Sequence, residues 1–112
     1  MLEIKRYVNS PVSSCCYIVS ESDGYNGCLL IDPGSQSVNN LLMLLDDLNL
    51  IPEFIILTHE HFDHCWSVNA LRNAFPMVKL VCSRACDKAI RSSKGNCSVF
   101  YDNAQAFEIA SA

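Results

Sequence analysis

The chain has 112 residues, half of them hydrophobic, and its eight basic against twelve acidic side chains give a formal net charge of −4. That is enough apolar material for a packed core and excludes an intrinsically disordered chain. Mild acidity without a Lys/Arg cluster argues against nucleic acid as an obligatory partner, although a phosphodiester gripped by metal ions would need no basic stripe.

Met1 to Val8 alternates apolar and charged positions, which predicts a strand, and it lacks the uninterrupted apolar stretch of a secretory signal. Cys15 to Ser20 and Gly27 to Ile31 are predicted as two further strands of a meander, separated by the turn compositions Asn9-Ser10-Pro11 and Ser22 to Gly27. From Ser37 as N-cap, apolar residues recur at Val38, Leu41, Leu42, Leu45 and Leu48, a helical spacing ended by Asn49 and Pro52. Phe54 to Leu57 is a continuous apolar run, expected for a strand buried on both faces.

Cys65, Val68, Leu71 and Phe75 predict one helix after Asp63, stopped by Pro76. Met77 to Cys82 is the next predicted strand, Ser83 caps a helix through Arg91, Ser92 to Asn96 is a loop, and from Cys97 onward no periodicity emerges. Strands alternating with helices give one α/β segment over residues 1–112, with its site at strand ends. No apolar run reaches bilayer-crossing length, Leu41 to Leu45 being bounded by Asp46 and Asp47. Seven cysteines at irregular spacing, odd in number and without an export signal, indicate a reduced, cytoplasmic chain rather than a disulfide scaffold. Cys28 and Cys65 are expected to pack inward.

All three histidines lie in Thr58-His59-Glu60-His61-Phe62-Asp63-His64, behind the apolar run. Imidazole is the commonest zinc ligand, and a carboxylate completes such sets in hydrolytic sites. If the strand direction carries into Thr58, then His59, His61 and Asp63 share one face, with His64 brought round by a turn into a helix. Glu60 then points away. Asp63 has a second reading as a helix cap, and it can serve both roles.

Thr58 to His64 resembles the T-H-x-H-x-D-H motif of the metallo-β-lactamase-fold metallohydrolases, and Leu30-Ile31-Asp32-Pro33-Gly34 resembles the strand and turn that precede it there. The resemblance covers roughly Leu2 to Ser83 and implies the N-terminal half of an α+β four-layer sandwich, with a mixed sheet and flanking helices. It implies that His59 and His61 bind a first metal, that Asp63 and His64 bind a second, with Asp63 as the catalytic carboxylate, and that Asp32 orients ligands from beneath. The metals implied are one or two Zn²⁺, with Fe or Mn as alternatives. The activity implied is hydrolysis of a small-molecule ester or thioester, in the manner of glyoxalase II. The family's iron-bearing redox members carry Glu where this chain has His61, which places that reading last.

The family completes its metals with later histidines and a bridging aspartate. Beyond His64 this chain has no histidine, and its carboxylates there are Asp87, Asp102 and Glu108. Four donors shared between two metals are an open set beside the three protein ligands usual at a catalytic zinc. The chain therefore reads as about half a domain, a fragment or one part of a split protein. The competing expectation is a non-catalytic half-domain that self-associates or packs against a complementing chain.

Overall fold

The computed structural model describes residues 1–112, arranged as one five-stranded mixed sheet with helices on one face. Strands β1 (Leu2–Val8), β2 (Cys15–Glu21) and β3 (Gly27–Ile31) form the expected antiparallel meander. Strand β4 (Ile51–Ile56) joins β3 in parallel after helix α1 (Asn39–Asp47), and β5 (Lys79–Val81) joins β4 in parallel. The spatial order follows the chain, β1-β2-β3-β4-β5. Two short helices, α2 (Phe62–Cys65) and α3 (Val68–Ala74), fill the crossover from β4 to β5. Beyond β5 come α4 (Arg84–Ile90), α5 (Ser98–Tyr101) and a 3₁₀ turn at Asn103–Gln105.

The core follows from strand alternation. Ile18, Leu30, Ile55 and Leu80 stand opposite one another in register across four strands and are 1%, 0%, 0% and 8% exposed. Against this row pack Leu41 and Leu45 of α1, Cys65 of α2, Val68 and Leu71 of α3, and Cys86 and Ile90 of α4. Cys28 and Cys65 are buried, in line with the sequence. The neighbouring row, Tyr17, Ile31, Ile56 and Val81, is equally in register but faces away from the helices, and Tyr17 and Val81 are exposed.

Four local expectations are corrected. Strand β4 begins at Ile51 and includes Pro52, which is tolerated because the β5 ladder starts only at Phe54 opposite Lys79 and a register shift follows Cys28. That strand is covered on one face only, with Phe54 37% exposed. The helix after the histidines is split at Trp66 and Ser67 into α2 and α3, where the Ser67 amide donates to Pro33 O and its hydroxyl to Ser35 O instead of serving an unbroken helix. Helix α1 is capped at Val38 without a side-chain bond. At its other end Asn49 takes the left-handed conformation (φ 55°), and the amides of Asn49 and Leu50 donate to Asp46 O and Leu45 O, a Schellman closure. Ser83 does cap α4, its hydroxyl accepting from the Cys86 amide at 3.1 Å.

The stretch from Cys97, unassigned by pattern, is tied down by buried Asn96, whose side chain donates to Phe107 O and accepts from the Ser98 amide. The chain then runs back over the helices: Ile109 N donates to Ile90 O, and Arg72 and Asn69 of α3 donate to Ala110 O and Glu108 O. No helix is long and apolar enough to cross a membrane.

Candidate metal centre

The site forms at the carboxyl ends of the parallel strands β3 and β4. Asp32 follows β3 directly and extends its pairing, its amide donating to Ile56 O at 2.9 Å. Its backbone is left-handed (φ 55°), a conformation that aspartate tolerates better than most residues but that still costs energy. The surroundings enforce it. The Asp32 carbonyl accepts from buried Asn9 Nδ2 at 3.1 Å, and its carboxylate accepts from the Thr58 amide (Oδ1, 2.8 Å) and the Thr58 hydroxyl (Oδ2, 2.5 Å).

The same Oδ2 lies 3.1 Å from His64 Nδ1. The carboxylate is thus shared between a backbone amide, a hydroxyl and an imidazole, which fixes the His64 ring and turns its Nε2 outward, 3.5 Å from Asp63 Oδ2. His59 completes the corner: its ring centroid is 3.9 Å from that of His64, and its Nδ1 is 3.0 Å from the Thr58 hydroxyl.

Strand alternation does not carry through the motif. Strand β4 ends at Ile56, residues 57–61 form a loop, and His61 is the N-cap of α2. His61 is therefore exposed, its ring 5.3 Å from that of His59, while Asp63 sits in the first turn of α2 and makes no cap hydrogen bond. The residues brought together are Asp32, His59 and His64, each offering one ligand atom within 4.8 Å of the others. Two donors on one zinc, at about 2.1 Å apiece, stand at most about 4.2 Å apart, so the His59 and His64 donors lie in the neighbourhood of one ion while Asp32 is held by Thr58 and braces His64. The donor chemistry, imidazole and carboxylate, fits a borderline divalent metal.

Several residues that hold this corner carry no motif signal. Gly34 packs against the motif backbone so closely that a Cβ there would lie 1.7 Å from Asp63 O and 2.8 Å from His64 N. Ser14 donates to the Asp63 carbonyl, and the Phe62 amide donates to Asn96 O at 2.8 Å. Asn9 and Ser35 bond each other beneath the 32–35 turn. In the sequence Asn9, Gly34 and Asn96 read only as turn or loop residues, and Ser14 and Ser35 carried no signal. Below the loop, Cys65 Sγ points at Glu60 O and His61 O, 3.5 Å from each. Burial holds its thiol far above the ordinary cysteine range, with Cys86 and Asp63 adding to the effect, so it stays protonated as a packing group.

A profile described as the Metallo-beta-lactamase superfamily matches residues 10–102. The hydroxyacylglutathione hydrolase of Pectobacterium atrosepticum is 38% identical over 69 residues, 62% of this chain and 27% of that protein. Among solved structures, the BLEG-1 B3 metallo-beta-lactamase superposes with a TM-score of 0.86 at 24% identity, over 98% of this chain and 51% of the other. TTHA1623 in a di-iron-bound form superposes with a TM-score of 0.63 at 31% identity, over 78% of this chain and 45% of the other. The chain spans about a quarter of the length of the curated relatives it matches and about half that of these two structures. The mixed sheet with its helices matches the N-terminal part of that fold.

Proposed function

The chain belongs to the metallo-β-lactamase superfamily, and on that premise we propose that its motif corner is the N-terminal share of a metal-dependent hydrolytic centre that acts on thioesters. The observation that carries this reading is the convergence of Asp32, His59 and His64 at the strand ends, with Asp63 next to His64. His59 and His61 would hold one ion, and Asp63 and His64 a second, His61 swinging inward from its exposed cap position. Zinc is the metal we assign first; the di-iron form of TTHA1623 makes iron the alternative to measure.

Asp32 has too many hydrogen-bond obligations to be a good ligand. Its role is to hold His64 in one tautomer, with Nδ1 toward the carboxylate and Nε2 free toward the ion. A divalent metal held here would supply Lewis acidity, lowering the pKa of a water and polarising the carbonyl under attack. Asp63, as a ligand beside His64, would keep one carboxylate oxygen free to accept a hydrogen bond from a water and orient it. No side-chain nucleophile is needed, in agreement with the buried, protonated Cys65.

The thioester class rests on the similarity to hydroxyacylglutathione hydrolases. The seven free thiols are consistent with a reducing, cytoplasmic setting. Every histidine of these 112 residues is already in the motif, and the carboxylates beyond it are Asp87, Asp102 and Glu108. The test is equilibrium dialysis against zinc with metal analysis, alongside hydrolysis of a hydroxyacylglutathione. Wild type retains zinc and His64→Ala loses it. Equal retention by both proteins sinks the metal assignment, and metal-bound protein that hydrolyses other esters but not a hydroxyacylglutathione sinks the substrate class.

A second reading, a non-catalytic half-domain that packs against a partner, is favoured by one observation: the apolar sheet face opposite the helices is uncovered. His61→Ala separates the two, because a hydrolase loses activity with its fold intact whereas a pairing module keeps its partner.

A further inference from the structure

The sheet has two open edges, β1 and β5. Strand β5 is only three residues long, whereas β1 runs for seven, in unbroken register with β2 and free of proline. Every β1 residue but Tyr7 is exposed, Ile4 by 67%. The ladder fixes which backbone groups are free. At one end the Ser22 amide donates to Met1 O at 3.0 Å, and at the other the Asn9 amide donates to Ser14 O at 2.8 Å. Hydrogen-bonded residues alternate along an antiparallel pair, so the odd-numbered residues of β1 bond to β2. The N–H and C=O groups of Leu2, Ile4, Arg6 and Val8 therefore point out of the sheet. Such an edge is a template for another strand, and β1 has no bulge, proline or shortened strand to block it, only its charges.

We propose that β1 pairs with β1 of a second copy of this chain, antiparallel and centred on Ile4, joining two sheets edge to edge. The charges select both the occupant and the register. With Ile4 opposite Ile4, Glu3 of each chain stands opposite Lys5 of the other, once on each side of the two-fold axis. These are non-hydrogen-bonded positions, where opposed side chains come closest, with Cα atoms about 4.5 Å apart. The outward amide and carbonyl of Ile4 bond those of Ile4 in the second copy, and those of Leu2 bond those of Arg6.

The neighbouring registers are penalised. Centring on Lys5 or Arg6 sets that cation against itself, centring on Glu3 sets two carboxylates together, and centring on Tyr7 overlaps only Arg6–Val8. Glu3-Ile4-Lys5 is thus self-complementary about its middle residue, as an isologous contact requires. Pairing also continues the outer apolar row of Ile4, Val19 and Leu29 from one sheet into the next. The metal corner lies beyond Val8, where Asn9 reaches Asp32, so it stays open in the pair.

The test is sedimentation equilibrium of the full chain over a wide concentration range. Wild type is expected to pass from monomer to dimer as concentration rises. Glu3→Lys and Lys5→Glu each replace two attractive pairs by two repulsive ones and raise the dimer Kd about tenfold. An equimolar mixture of the two variants restores the dimer, because one chain then presents two cations where the other presents two carboxylates. Ile4→Pro, which removes an outward N–H and no bond to β2, abolishes pairing. Should Ile4→Pro fail to fold, the mixture of charge variants, both at exposed positions, still decides the matter. A wild type monomeric throughout, charge variants that dimerise like wild type, or a mixture no tighter than its components overturns the proposal. So does a dimer untouched by these changes and lost in Phe54→Ser, which would assign association to the open face of the sheet.

Discussion

The two faces of the sheet are built from alternate residues of the same strands, yet they live in different surroundings. On one side Ile18, Leu30, Ile55 and Leu80 are sealed under helices; on the other Tyr17, Val19, Leu29, Ile31, Phe54, Ile56 and Val81 are comparably apolar and half-open or exposed. An ordinary half-buried sheet alternates apolar with polar residues. The outer row is as apolar as the inner one, yet the helices cover only the inner face.

That contrast can be broken most severely from the sealed side. Ile55→Ala removes a fully buried side chain at the centre of the in-register row and costs about 2–5 kcal/mol, read as a fall in the urea midpoint at unchanged slope. Next is Gly34→Ala at the rim between the faces, where the new methyl collides with motif backbone that cannot yield. It is expected to destabilise by about 1–3 kcal/mol and to displace the Asp63 carbonyl, so zinc uptake falls with the melting temperature. Unchanged uptake would show that the corner does not depend on this contact.

On the open side, Phe54→Ser changes the stability of the isolated chain by less than about 1 kcal/mol while reducing self-association in light scattering. A loss as large as that of Ile55→Ala would mean that the face is covered in solution. The smallest effect lies on the outer surface of the helices. Asp87 is held below the ordinary carboxylate range by the amide of Ala112, then by the Ser111 hydroxyl, working against its slight desolvation. A depressed folded pKa means stability present above the unfolded value and lost as pH falls through the folded one. Asp87→Asn is therefore slightly less stable than wild type at neutral pH, and the difference vanishes in acid. A difference that persists at low pH would assign it to packing.

The sealed layer was legible because period-2 and period-3.6 patterns report burial against a neighbour, and the meander, α1 and the Ser83 cap all follow from them. Proline at 52 masked the start of β4, since the pattern cannot tell where β5 stops pairing. The split at Trp66 was hidden because the hydrogen bonds that break the helix go to Pro33 and Ser35, far away in sequence. The histidine cluster was legible as chemistry but not as geometry. Strand parity grouped His59 with His61, whereas the loop turns His59 onto His64 and Asp32 and leaves His61 outside. The motif's supports, Asn9, Ser14 and Asn96, were silent because a single polar residue in a turn looks the same whether it braces a site or faces water.

Those supports also decide when the site comes into being. Ser14 reaches 49 residues along the chain to Asp63, Asn9 reaches 23 to Asp32, and the Phe62 amide depends on a carbonyl at position 96. Such distant partners give no reward until the intervening chain has already closed, which makes this corner a late event in folding and an early casualty of partial opening. Amide exchange at Phe62 should accordingly follow the opening of the 96–109 segment, and a ligand that stiffens the corner would slow exchange far away in the first hairpin.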